Sequence, residues 1–213
     1  LFAPFVSKVS HRQAARTLGC SRATVAHRLI LLGEHCKSFH RWRLSKAAGR
    51  GGILGTFQLD ELESFEHSRR LAPLTVPVLI ERSSYFVVDL ATASLPCRGG
   101  LSGVNRERKA ERERIFGVRR SGSRQAVASC FESLAAFHVR SGIVKVQTDK
   151  KSSYLGILEQ RFGQRLVHQR YSSKDKRDYK NPLFPINHTL AMLRDGISRL
   201  VRRTWAASKL RKH

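Results

Sequence analysis

The rhythm of apolar and polar positions changes several times along this chain, and each change marks a predicted element. Near the N-terminus the spacing is helical. Ser10 precedes a run through Arg12, Ala14, Ala15 and Leu18, and Ser21 precedes a second run over residues 22–30, with Gly19-Cys20-Ser21 between them. A serine caps each helix and the glycine breaks the first, so a helix–tight turn–helix unit is predicted. Ala14 and Ala15 allow close packing, and Leu18, Val25 and Leu29 are its expected core. Residues 36–43 read as a basic helix that ends in Ala47-Ala48-Gly49-Arg50-Gly51-Gly52. No phosphate-cradling GxxxxGK[ST] pattern occurs there, so this break reads as a linker. Phe39 and Trp42 are expected to pack rather than to stack on bases.

From residue 53 the period shifts toward strands. Leu54, Phe57 and Leu59 predict a short buried strand that leaves its sheet at Asp60-Glu61. Residues 74–81 and 85–92, joined by Arg82-Ser83-Ser84, predict an antiparallel hairpin. Residues 97–123 are polar and strongly basic, and suit either a solvated helix with i,i+4 charge pairs or a flexible strip against a DNA backbone. Val127, Cys130, Phe131, Leu134 and Phe137 then lie on one helical side, with His138 at the rim of a core. A second strand, residues 143–149, again closes on an acid, Asp149. A helix (Tyr154, Leu155, Ile157, Leu158, Phe162), a strand (165–169), a charged loop and a final helix from Asn187 to about Arg203 complete the order. Leu190, Leu193, Ile197 and Leu200 form the apolar stripe of that last helix.

Charge sharpens this picture. The 213 residues include 40 Lys and Arg against 16 Asp and Glu, a formal net charge of +24, and the isoelectric point is about 11.2. Such an excess points to a polyanion, nucleic acid above all, because the basic residues are spread over folded segments. A hydrophobic content of 41% supports a core, and no apolar run reaches membrane-spanning length. Four cysteines without CxxC spacing read as reduced intracellular thiols. The chain starts at Leu1 and stops in a basic run, which reads as a fragment.

In so basic a chain, carboxylates at the ends of two strands call for a role. Each alone also suits the start of a turn. If the two strands are neighbours, Asp60 and Asp149 share a sheet edge and offer oxygen ligands to a hard divalent cation. On the second N-terminal helix, Arg22, Thr24, His27 and Arg28 are the expected readers of a DNA major groove. An ordinary helical hairpin is the alternative there.

The predicted order from residue 53 is β-β-β-α-β-α-β-α, that of the ribonuclease-H-like α/β fold with a mixed sheet. Phe57-Gln58-Leu59-Asp60-Glu61-Leu62, Val146-Gln147-Thr148-Asp149 and residues 193–204 together resemble an insertion-sequence transposase of the DDE superfamily. The likeness covers residues 8–213. It implies a helix-turn-helix domain (1–35), a basic helix and linker (36–52) and a catalytic domain (53–213). It implies Asp60 and Asp149 as ligands of Mg²⁺ or Mn²⁺, two ions in all. The third acid of the family, a Glu early in the last helix, falls on Asn187, whose amide brings no charge and cannot act as a base. Asp195 and Glu61 are the alternative carboxylates, although Asp195 lies two turns, about 12 Å, further along. The resemblance further implies water attack that frees a 3′-hydroxyl, then attack of that hydroxyl on target DNA. Lys150, Lys151, Lys174, Lys176, Arg177, Arg202 and Arg203 are the expected holders of the DNA backbone. A homo-oligomer on double-stranded DNA, in the bacterial cytoplasm with the nucleoid, completes that expectation. The alternative is a regulator that keeps the helix-turn-helix and has lost catalysis.

Overall fold

The computed structural model describes residues 2–172, 174–176 and 178–200. Its N-terminal part is built by capping. Ser10 caps α2 (His11–Thr17) in a reciprocal capping box with Gln13, and Ser21 caps α3 (Arg22–Ala48) through the Thr24 amide at 3.0 Å. Gly19, at φ +61°, supplies the left-handed residue of the turn between them. Ala14, Ala15 and Val25 are buried, with Phe5, Val9 and Cys20 packed on them. Leu18 is 43% exposed, so the expected core residue is replaced by Phe5 from α1 (Phe2–Val6), an element too short to carry a helical period.

The basic helix expected over 36–43 is not separate. α3 runs unbroken for 27 residues, about 40 Å at 1.5 Å per residue, and the boundary placed between residues 35 and 36 falls inside it. Its far half docks on the sheet. Leu44 is buried, and a ring nitrogen of His40 lies 3.0 Å from the Val88 carbonyl. Phe39 and Trp42 pack against each other, but both are more than half exposed and neither joins a core.

The rest is an α/β arrangement around a mixed sheet. Its strands are β1 (Thr56–Phe65), β2 (Pro73–Glu81), β3 (Val87–Leu90), β4 (Ala93–Ser94), β5 (Val144–Asp149) and β6 (Leu166–Tyr171). They lie in the order β3-β2-β1-β5-β6, with β4 also on β2. β1 pairs antiparallel with β2 and parallel with β5, and β5 pairs parallel with β6. β2 is buried along its whole length, as a strand covered on both faces must be. On one face α5 (Ser123–Phe137) and α6 (Ser152–Phe162) pack on Phe57, Leu59, Val144 and Val146. On the other, α7 (Phe184–Gly196) sets Ile186 and Leu190 on Leu62, Val78 and Ile80.

Two boundaries differ from expectation, and the basic strip meets the first of its two readings. β1 does not end at Asp60-Glu61 but continues four residues further, because its pairing with β2 persists to Phe65–Pro73. The strip over 97–123 contains α4 (Gly103–Phe116), a solvated helix bearing the pairs Lys109–Glu113 and Arg114–Glu111. α7 begins at Phe184 and ends at Gly196, against an expected span from Asn187 to about Arg203, of which residues 201–203 lie outside the described residues.

A chain of glutamines crosses the α7 face of the sheet. Gln58 Nε2 donates to Gln147 Oε1 at 2.7 Å, and Gln147 Nε2 donates to Gln169 Oε1 at 2.8 Å. These residues are direct partners in register across β1, β5 and β6. Gln58 also donates to the Pro182 carbonyl at 2.6 Å and accepts from the Ile186 amide at 3.0 Å. The Ile186 N–H belongs to the first turn of α7, where no intrahelical acceptor exists and no side chain of the helix start provides a cap. Gln58 thus caps α7 from the sheet. Gln58→Leu would strand the Pro182 carbonyl, the Ile186 amide and the Gln147 side chain in the interior. A loss of about 2–4 kcal/mol is expected, read as a lower urea midpoint with an unchanged slope.

Candidate functional site

The glutamine chain fixes what stands beside it. Side chains alternate along a strand, so Asp60 shares the α7 face with Gln58, and Asp149 shares it with Gln147. The last β1–β5 pair is Leu59–Thr148, which puts Asp60 and Asp149 side by side one residue beyond it. Asp60 therefore stands where β1 parts from β5, not where β1 ends. Each carboxylate turns one oxygen to a local amide: Asp60 to Glu61 at 2.7 Å and Asp149 to Lys151 at 3.0 Å. Both residues are half-buried.

The third expected position, Asn187, lies in the first turns of α7, next to the Ile186 amide that Gln58 holds. Asp60 and Asn187 line one cleft of about 1030 Å³, together with Arg69, Arg70, His188 and Arg194. The structure thus brings together the two strand acids on one face and places Asn187 on the helix that crosses it. The donors are two carboxylates and one amide oxygen, a set suited to a hard cation. Among the described residues no group of three or more His, Cys, Asp or Glu side chains is arranged around a common point.

The alternative carboxylates are engaged elsewhere. Asp195 forms an ion pair with Lys8 on the surface, beside the bond from the Lys8 amide to the Gly196 carbonyl. Glu61 points to the opposite face from Asp60. There it accepts from Ser123 Oγ at 2.5 Å and holds the Lys151 ammonium, which also reaches Ser123 at 3.2 Å. Lys151 further lies over the ring of Tyr154, 5.3 Å from its centre. The Tyr154 phenol is driven well above its ordinary range, first by burial and then by the charges of Glu61, Asp149 and Asp60. One buried ring thus feels all three acids.

The expected DNA contacts divide. Arg22, Thr24, His27 and Arg28 are all exposed on α3. At about 100° per residue, Thr24, His27 and Arg28 share one side, whereas Arg22 falls on the other. Lys150, Lys174 and Lys176 are exposed, and Lys176 faces Asp178 at 3.5 Å. Lys151 is turned inward to Glu61. Arg177, Arg202 and Arg203 lie outside the described residues.

Sequence reasoning passed over the glutamines and the cleft arginines. A signal for the first was present: both strands read Gln-x-Asp, as Gln58-Leu59-Asp60 and Gln147-Thr148-Asp149. Arg69 and Arg70 sit in the β1–β2 connection, and nothing local links them to a site.

Because Lys151 neutralises a largely buried Glu61, Lys151→Met is expected to cost about 1–2 kcal/mol in urea unfolding. That is less than a fully buried pair would lose, since the ammonium is partly exposed. Lys150→Met, at an exposed neighbour, is expected to change stability by less than about 0.5 kcal/mol.

Set against known protein families, curated proteins and solved structures, the chain matches none of them.

Proposed function

We propose that this chain is a divalent-metal-dependent DNA transposase of insertion-sequence type, with a helix-turn-helix ahead of a ribonuclease-H-like catalytic domain. The observation that carries the reading is that Asp60 and Asp149 lie just past the last pair of two adjacent parallel strands, on the sheet face crossed by the helix that bears Asn187. The strand order β3-β2-β1-β5-β6 and the covering of both sheet faces by helices agree with the proposed fold. The net charge of +24 supports a polyanionic substrate.

In this reading Asp60 and Asp149 hold Mg²⁺ or Mn²⁺, and Asn187 adds a neutral oxygen. When bound, the metal supplies charge neutralisation at a scissile phosphate and activation of the attacking oxygen. Gln58 keeps Asn187 over the two acids by fixing the start of α7. Thr24, His27 and Arg28 read the ends of the element, while Lys150 and Lys174 hold the backbone. The reaction is hydrolysis of a phosphodiester at the element end, followed by attack of the freed 3′-hydroxyl on target DNA. Work as an oligomer at paired ends, in the cytoplasm with the nucleoid, belongs to the same proposal. No helix among the described residues is long and apolar enough to cross a membrane.

A second reading keeps the DNA binding and drops the chemistry. Asn187 favours it, because two carboxylates and an amide bind a cation less firmly than three carboxylates. Nicking of supercoiled plasmid in Mn²⁺ separates the two. The transposase reading expects wild-type nicking that falls at least about a hundredfold in Asp60→Asn, in line with loss of a metal-ligand contribution of several kcal/mol, and that rises in Asn187→Glu. A wild type that binds the plasmid without nicking it, with nicking gained only in Asn187→Glu, identifies the regulator.

A further inference from the structure

The cleft beside Asp60 has two unlike walls. On one side the β1–β2 connection contributes Arg69 and Arg70; on the other α7 contributes Phe184 and His188. Arg70 donates one guanidinium N–H to the Gly100 carbonyl at 3.2 Å, which orients the group and leaves its remaining donors available. Arg69 is exposed and pairs with no carboxylate among the described residues. Arg98, by contrast, is committed to Glu63.

The opposite wall is aromatic. The exposed His188 ring lies between Phe184, tilted at 5.8 Å, and Tyr85, edge-on at 5.7 Å. Tyr85 comes from the β2–β3 turn and takes a left-handed backbone at φ +59°. For a bulky side chain that conformation is an outlier, and such strain concentrates at binding sites. Here it directs the phenol onto His188, one residue from Asn187.

Cationic donors facing an aromatic ring across a cleft suit a phosphate and an unstacked base, as in single-strand recognition. At about 1030 Å³ the space is at the upper end of small-ligand sites. We infer that this cleft seats one unpaired nucleotide of a DNA strand, its phosphate on Arg69 and Arg70 and its base against His188. The inference rests on the DNA-cleavage reading above and adds to it that the strand is frayed where it meets Asp60.

The test compares a blunt duplex with the same duplex bearing two unpaired nucleotides at one 3′ end, by fluorescence anisotropy on the full chain at fixed salt. Wild type is expected to bind the tailed DNA about tenfold more tightly, the size of one base–aromatic stack. His188→Ala should erase that preference. Arg69→Ala/Arg70→Ala should weaken tailed binding and flatten its salt dependence by about one to two phosphate contacts. Equal wild-type affinity for both DNAs, or a preference that survives His188→Ala, overturns the inference. Plasmid nicking read on the same proteins keeps the two claims apart. Nicking without tail preference removes the nucleotide seat alone, and tail preference without nicking removes the transposase chemistry alone.

Discussion

The structure depends on one buried side chain, Gln58. It lies fully enclosed at the centre of the sheet and spends its amide on three neighbours: the β5 glutamine, the carbonyl before α7 and an amide in the first turn of α7. A polar group so placed is tolerated only because its hydrogen bonds are made. That requirement fixes β1 against β5 in register, and α7 against both. Since Asp60 and Asp149 each follow a member of the glutamine chain by two residues, the same bonds set the two acids together and hold Asn187 nearby. Apolar residues at these positions would bury as well but would not select the register or the height of α7.

Around this centre the scarce carboxylates are mostly used as struts. Glu61 ties the start of α5 to the residue before α6 through Ser123 and Lys151, and Glu66 holds Arg119 at 2.8 Å. Glu81 fastens the β2–β3 turn through Ser83 and Ser84. Burial works against its ionisation, and the hydrogen bonds from that turn outweigh it, so its carboxyl stays below the usual range. The same side chain fills the space beside Gly55, where a Cβ would come within 2.6 Å of Glu81 Oε1. With these acids engaged, the basic residues of α3, α4 and the β6–α7 connection remain a cationic exterior. The long α3 links the capped turn at its start to the sheet at its end through Leu44 and His40.

Much of this is legible from residue order alone. Ser10 and Ser21 announce their helices because capping is local. The hairpin at residues 82–84 and the strand ending at Asp149 follow from short-range pattern. What the sequence hides is set by long-range partners. β1 outlasts Asp60 because β2 continues to pair with it. α3 bridges the expected boundary because no glycine or proline interrupts it strongly enough between residues 34 and 48. Lys151 looks like a surface cation until β1 presents Glu61 to it. The glutamines were written twice as Gln-x-Asp, yet their meaning appears only when the strands stand side by side.

Calorimetric titration with Mn²⁺ reads whether Asp60, Asp149 and Asn187 form one cation site. Wild type, Asp149→Asn and Asn187→Glu are compared under identical conditions. One shared site gives saturable binding by wild type, loss of it in Asp149→Asn, and tighter binding in Asn187→Glu as a third carboxylate joins the set. Absence of binding in all three proteins, or binding indifferent to both substitutions, would contradict it.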